Sequence, residues 1–284
     1  VKFVGQKNFK AFLLSSGTES TEAALKIMRM HSQKIKKRRG GIICFEGNWH
    51  GRTLGSQMMS GNHDQKKWIN QLDRDIHHLP FPYPWDLEKK NCKKIFQDGL
   101  NRLKNKGIDL KKDICGIMLE SFQGWGAIFY PSEFINLIKN LAKKNGILIC
   151  FDEMQAGFAR TGKKFGFNHY KIKPDLICCG KGMGGGYPVS GLIGNSNLLD
   201  LPEEGNMSST HSANPLSCVA GLSVLEEIKK NKLVFQSKKK GIVLFKMLNK
   251  IKNDNENLIS YVCGKGLIAA LIFNKDIPNI SKKV

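Results

Sequence analysis

The chain predicts an α/β fold: a mostly parallel central sheet flanked by helices, followed by the start of a smaller α+β C-terminal domain. Three observations predict it. Short apolar runs bounded by turn residues or charge alternate with helical patterns, the alternation that builds parallel sheets. The polar residues of interest fall at the ends of those runs. Near residue 226 the composition shifts towards Lys and Asn, ahead of a strand-like stretch, Ile259–Phe273. A chain of 284 residues has room for one large domain and part of a second, placed here at 1–225 and 226–284.

The strand candidates are Gly41–Phe45, Ile114–Leu119, Ile147–Phe151 and Asp175–Cys179. The helix candidates are Ser20–Gln33, Trp85–Lys104, Pro131–Asn145 and Pro215–Lys229. In the third helix Phe134, Leu137, Ile138 and Leu141 recur at i, i+3, i+4, i+7, the spacing of one face. Pro131 near its start loses no helical hydrogen bond, and Gly146 is placed as the residue that ends it. Glu120 and Asp152 close two of the strands, and Lys181 follows shortly after a third. In open α/β sheets ligands bind at the carboxyl ends of the strands, so these three ionisable groups mark a candidate site.

Apolar residues make up 41% of the chain and aromatics 9%, ordinary for a globular protein. No stretch approaches the ~20 apolar residues that span a bilayer, and the opening residues lack the basic-then-apolar order of a signal peptide. A cytoplasmic protein with no membrane partner is expected. The chain opens on Val1 rather than Met, and a natural N-terminus further upstream is expected. The formal charge of +21 invites a nucleic-acid reading. The lysines, however, are spread along the chain in short runs such as Lys34–Arg39 and Lys238–Lys240, with no interleaved aromatics. A solvated lysine-rich surface that helps draw in an anionic cofactor or substrate is the better account, and no nucleic-acid partner is expected. Cys44, Cys115, Cys150, Cys178 and Cys179 lie in apolar runs, where cysteine behaves as a small hydrophobe, and no C-x-x-C pair is present. Reduced thiols and no metal site are expected.

Three motifs carry chemistry. Ser15-Ser16-Gly17-Thr18-Glu19-Ser20 leads into a helix, with Ser16 and Glu19 spaced as a capping box. The free N–H groups there suit a phosphate and Gly17 permits close approach, although for this motif taken alone a plain structural cap is the better account. The stretch from Phe151 to Gly162 begins with Asp152 at a strand end and includes Arg160, whose simplest role is a surface ion pair. Gly180-Lys181-Gly182-Met183-Gly184-Gly185-Gly186 contains a literal G-x-G-x-x-G, with Asp200 downstream. A dinucleotide fingerprint needs a helix straight after the glycines, and Tyr187–Gly194 reads as extended instead. Glycines crowding one lysine fit a planar ligand pressed against the backbone.

Taken in order, S-G-T-E, W-H-G-R-T, E-x-x-Q-G, F-D-E-x-Q-x-G-x-x-R-T-G, K-G-x-G-G-G-x-P and S-T-H-x-x-N-P resemble the class III (omega) aminotransferases of fold type I, in the aspartate aminotransferase-like superfamily. The resemblance covers roughly residues 12–225 and, more weakly, Gly264–Leu267. It implies pyridoxal 5'-phosphate as cofactor and a homodimer with shared active sites. Lys181 is similar to the Schiff-base lysine, whose amine is expected to be tuned by burial and neighbouring charge. Asp152 resembles the carboxylate that keeps the pyridine nitrogen protonated. The resemblance further implies that Gln155 bonds the phenolic oxygen, that Gly17 and Thr18 bind the phosphate through backbone N–H groups, and that Thr210 reaches the phosphate of the partner subunit's cofactor. Trp49 takes the place of the ring that stacks on the pyridine, and Glu120 that of a carboxylate near the cofactor. His50 suits a general base less well than a satisfied structural histidine.

The chain also departs from the family pattern. E-P-x-Q-G-E-G appears as Glu120-Ser121-Phe122-Gln123-Gly124-Trp125-Gly126, so Trp125 replaces a glutamate that pairs with a substrate-binding arginine in some members. An acceptor other than 2-oxoglutarate, such as pyruvate, is expected. Cys263 stands where an arginine often precedes Gly-Lys-Gly, and the family's terminal segments fall outside the chain, so a fragment is expected. The preferred activity moves an amino group from an amine or amino acid to a 2-oxo acid. The alternatives are a decarboxylase of dialkyl amino acids on the same scaffold, whose members also carry W-H-G, and a non-enzymatic basic binding protein. The intact Lys181/Asp152 pair argues against the last of these.

Overall fold

The computed structural model describes residues 1–274, so the end of the 226–284 segment lies outside the described residues. The strands are β1 (Phe9–Leu14), β2 (Gly41–Phe45), β3 (Ile76–Leu79), β4 (Ile114–Glu120), β5 (Phe122–Gln123), β6 (Ile128–Phe129), β7 (Leu148–Asp152), β8 (Leu176–Cys179), β9 (Ser190–Asn195), β10 (Ile259–Lys265) and β11 (Ile268–Phe273). The helices are α1 (Gly17–Lys34), α2 (Leu54–Met59), α3 (Pro84–Leu87), α4 (Cys92–Asn105), α5 (Leu110–Asp113), α6 (Ser132–Asn145), α7 (Ser196–Leu199), α8 (Pro215–Lys230) and α9 (Leu233–Asn253).

A seven-stranded sheet in the order β1-β9-β8-β7-β4-β2-β3 forms the centre. The pairs from β8 through β7, β4 and β2 to β3 are parallel, and β9 is the one antiparallel member, paired so with both β8 and β1. This is the mostly parallel sheet expected from the sequence. The central strands β2, β4, β7 and β8 are almost wholly apolar and buried because both of their faces are covered. Ile43, Phe45, Ile117, Ile149, Phe151 and Ile177 point to one core, and Ile42, Cys44, Met118, Leu148, Cys150 and Leu176 to the other. Ile27 and Met28 of α1 join the second core, while Phe96 of α4 and Phe134 of α6 join the first. Each fully buried Ile or Phe contributes about 1.5–3 kcal/mol, so the two faces supply most of the driving force. Gly116 lets α1 lie close on β4, since a Cβ there would sit 2.2 Å from the Met28 Sδ.

Several local readings hold. Ser16 and Glu19 form a reciprocal capping box at the start of α1, and α6 ends at Gly146 in a left-handed conformation (φ 61°). The expected helix over Trp85–Lys104 is instead two pieces, α3 and α4. The reason is Asn91, whose side-chain oxygen accepts from the Lys94 N–H at 2.8 Å and starts a new helix. Arg160 makes no ion pair among the described residues; its carbonyl accepts from the Leu267 N–H at 3.0 Å instead. Residue 226 falls inside α8, which runs unbroken to Lys230. Beyond it, α9 packs on the β10–β11 hairpin. Among the described residues no helix is long and apolar enough to cross a membrane.

Candidate active site

The sheet delivers its polar residues to one edge. Glu120 at the end of β4 pairs in register with Asp152 at the end of β7, and Asp152 pairs with Cys178 of β8. Two residues past β8 the chain turns at Lys181, whose backbone is left-handed (φ 45°). On the far side, the turn after β2 carries Trp49 and His50, and α1 begins at Gly17 and Thr18. Lys181, Asp152, Glu120, Gln155, Trp49, His50, Gly17 and Thr18 all line one small cavity of about 200 Å³.

Hydrogen bonds fix the set. Nδ1 of His50 lies 2.9 Å from Asp152 Oδ2, and the Met154 N–H donates to Asp152 Oδ1 at 3.1 Å. His50 is buried, and among the described residues its Nε2 has no partner, so one of its two ring nitrogens is left unsatisfied there. The Trp49 N–H donates to Glu120 Oε2 at 2.8 Å, and the Arg52 guanidinium lies over the Trp49 ring, 4.6 Å from its centroid. Burial, then the neighbouring Asp152 charge, pushes the Glu120 carboxyl well above its ordinary value, against hydrogen bonds from the Trp49 and Gly124 N–H groups and the charge of Lys181. Thr18 Oγ1 bonds to the hydroxyls of Thr53 at 2.7 Å and Ser56 at 2.8 Å, tying the start of α1 to the start of α2.

One expectation, the burial of Lys181, needs correction. Lys181 is exposed rather than buried, on a turn open to solvent. Thr210 is exposed and does not line the cavity of its own chain; its neighbour Ser209 reaches Glu19 Oε1 at 3.0 Å, beside the start of α1.

Sequence reasoning missed three contributors. Met154 wedges under the site: a Cβ on Gly17 would meet its Sδ at 2.9 Å, and one on Gly180 at 2.5 Å. Gly51 (φ 138°) lies against Thr18, where a Cβ would sit 2.5 Å from Thr18 Oγ1. At Gly124 a Cβ would lie 2.1 Å from Gln155 Nε2 and 3.1 Å from Glu120 Oε1. The glycines were visible inside the motifs, but nothing local says what presses on them. Lys181, Trp49, Gln155 and Gly124 also line a second, larger cavity of about 790 Å³, into which Trp125 faces.

Two motifs distant in sequence meet beside the site. The Gly264-Lys265-Gly266 turn of the β10–β11 hairpin packs on the Arg160-Thr161-Gly162 turn, so closely that a Cβ on Gly266 would lie 2.4 Å from the Thr161 carbonyl carbon. Next to Asp152, Glu153 is fully buried and accepts from the Gly166 N–H at 2.6 Å and the Phe167 N–H at 2.8 Å. Burial nevertheless pushes its carboxyl up to about 7. Its role is to hold the loop after β7. Among the described residues no group of His, Cys, Asp and Glu is arranged to hold a metal ion.

Comparison with known proteins places this geometry. A mitochondrial acetylornithine aminotransferase of Candida glabrata is 34% identical over 98% of this chain and 62% of its own length. A leucine/methionine racemase of Thermococcus litoralis is 30% identical over 92% of this chain and 58% of its own. The crystal structure of a transaminase from the marine bacterium Virgibacillus superposes with a TM-score of 0.83 at 25% identity, over 92% of this chain and 59% of that one. The chain thus spans about three fifths of the length of the relatives it matches. Residues 1–283 match the family model described as aminotransferase class-III, and the chain belongs to that family.

Proposed function

We propose that the chain is the core of a pyridoxal-phosphate-dependent aminotransferase that moves an amino group from an amine or amino acid to a 2-oxo acid, with Lys181 carrying the cofactor. The observation that supports it most is the small cavity in which an amine, two carboxylates, an amide and a helix N-terminus converge. The donor set fits pyridoxal 5'-phosphate: positions 17, 51 and 180 leave no room for a side chain beside it, and the first turn of α1 offers free N–H groups to an anion. When bound, the cofactor supplies an aldehyde that captures amines and a ring that accepts electrons from the neighbouring carbon.

The residues divide the work. Lys181 Nζ would hold the cofactor through its aldehyde group, and its free amine is the base placed to move the proton at the substrate's α-carbon. Asp152 would hold a proton on the ring nitrogen, and His50, bonded to its Oδ2 at 2.9 Å, fixes the direction of that carboxylate. Gln155 would donate its amide to the phenolic oxygen, Gly17 and Thr18 would hold the phosphate through their N–H groups, and Trp49 would pack against the ring. Glu120, anchored on the Trp49 N–H, positions that indole. In a homodimer with shared sites Thr210, exposed beside the start of α1, would reach the other subunit's phosphate. Residues 1–225 form the cofactor-binding domain and 226–284 part of a smaller one. Its eight free cysteines fit a reducing, cytoplasmic setting.

Purified protein loaded with pyridoxal 5'-phosphate should convert pyruvate to alanine when given an amine donor. Carbon dioxide release without keto product would favour decarboxylation, and no turnover with any donor would remove the assignment.

A further inference from the structure

We propose that Trp125, braced by Gln123, Tyr83 and Trp85, is a specificity wall that selects donors carrying a flat aromatic group next to the reacting amine. The inference rests on the reading above that Lys181 is the reacting amine. Trp125 and Lys181 line the same cavity of about 790 Å³. A side chain that is 58% exposed ordinarily wanders, yet this indole is held from two sides. Its Nε1 donates to Gln123 Oε1 at 2.7 Å, and the fully buried Gln123 in turn donates its amide to the Glu46 carbonyl. Behind it, Tyr83 and Trp85 stack with centroids 4.7 Å apart and planes 8° from parallel, and stand 5.9 and 6.4 Å from Trp125. Gly47 (φ 78°) leaves space for this brace: a Cβ there would lie 2.4 Å from the Tyr83 hydroxyl and 2.5 Å from Gln123 Nε2.

A fixed indole presents a π face to whatever enters, and aromatic partners gain from offset or edge contacts that a saturated ring of the same size does not make. The charges of the cavity point the same way. Among the described residues Lys181 is the one lysine or arginine lining it, and Asp64 is paired with Lys67 at 2.8 Å, so once Lys181 is engaged the lining offers no spare cation to recruit an acidic side group. Trp49 supplies a second indole in the same lining.

The test pairs ligands of matched length. In the cofactor-loaded protein, benzyl alcohol and cyclohexylmethanol, neither of which can react, are titrated against tryptophan fluorescence. Benzylamine and cyclohexylmethylamine are then compared as donors to pyruvate. The wild type should favour the aromatic member of each pair, and Trp125→Leu should cut both preferences about three- to tenfold, the size of one aromatic contact. Trp125→Phe should restore much of the preference, and Trp85→Leu, which removes a ring from the brace, should lower it. Preferences that survive Trp125→Leu, or that Trp125→Phe does not restore, overturn the proposal. Discrimination between the alcohols without turnover of any amine would support the wall and sink the aminotransferase reading; turnover with no aromatic preference would do the reverse.

Discussion

Asp152→Asn separates charge from shape at the centre of the site. In the native chain Oδ1 accepts from the Met154 N–H at 3.1 Å and Oδ2 faces His50 Nδ1 at 2.9 Å. An asparagine keeps the first bond through its oxygen and the second by donating its amide to the unprotonated Nδ1, the imidazole changing tautomer. Both local bonds survive, so the melting temperature of the cofactor-free protein should stay within a few degrees of wild type. What disappears is the negative charge that holds a protonated ring nitrogen. A hydrogen bond to a charged group is worth about 1.5–3 kcal/mol, which corresponds to roughly ten- to a hundredfold in affinity. Titration with pyridoxal 5'-phosphate, followed by absorbance, should show a loss of that size, with a still larger fall in turnover. Unchanged affinity and turnover in a variant that melts like wild type would refute the assignment of Asp152.

Gly266→Ala should detach the hairpin from the loop beside the site. The residue has φ 60°, and a Cβ would lie 2.4 Å from the Thr161 carbonyl carbon and 2.7 Å from the Gly162 nitrogen. Overpacking of this kind costs about 1–3 kcal/mol, so the melting temperature should fall by roughly 5 °C; no fall would show that the two turns do not meet. Stability should also depend on pH through Glu153. Its carboxyl, ordinarily near 4.5, is pushed up to about 7 by burial, so the folded chain holds that proton more tightly than the unfolded one. The contribution is fully present below about 4.5 and is lost as pH rises to about 7, up to about 3 kcal/mol. Denaturant unfolding across that range should show a shallower decline for Glu153→Gln than for wild type, and identical slopes would contradict this account.

The sequence made the site's skeleton readable because its chemistry sits at strand ends. Glu120 and Asp152 each close an apolar run, and Lys181 follows one, so their shared edge could be inferred before any distance was known. The capping box of α1 was equally local. Elements with weak patterns were lost. In β3, Ile76-His77-His78-Leu79, two histidines break the apolar run, and β1, Phe9–Leu14, carries a lysine that interrupts its apolar pattern. Met154 reads as one more apolar residue, and only the fold reveals that it lies under both Gly17 and Gly180. The contact between the Arg160 and Gly264 turns joins segments about a hundred residues apart and leaves no local trace. The exposure of Lys181 likewise depends on how the glycine-rich turn is set against α8, which periodicity does not encode.

The central claim is that Lys181 Nζ carries the cofactor, and the most direct test is chemical. Protein mixed with pyridoxal 5'-phosphate is treated with borohydride, digested, and mapped by mass spectrometry, with Lys181→Ala alongside. The account predicts an absorbance band of a bound imine that borohydride removes, and a pyridoxyl mass on the peptide containing Lys181 alone. Labelling scattered over surface lysines, or an equal band in Lys181→Ala, would contradict it.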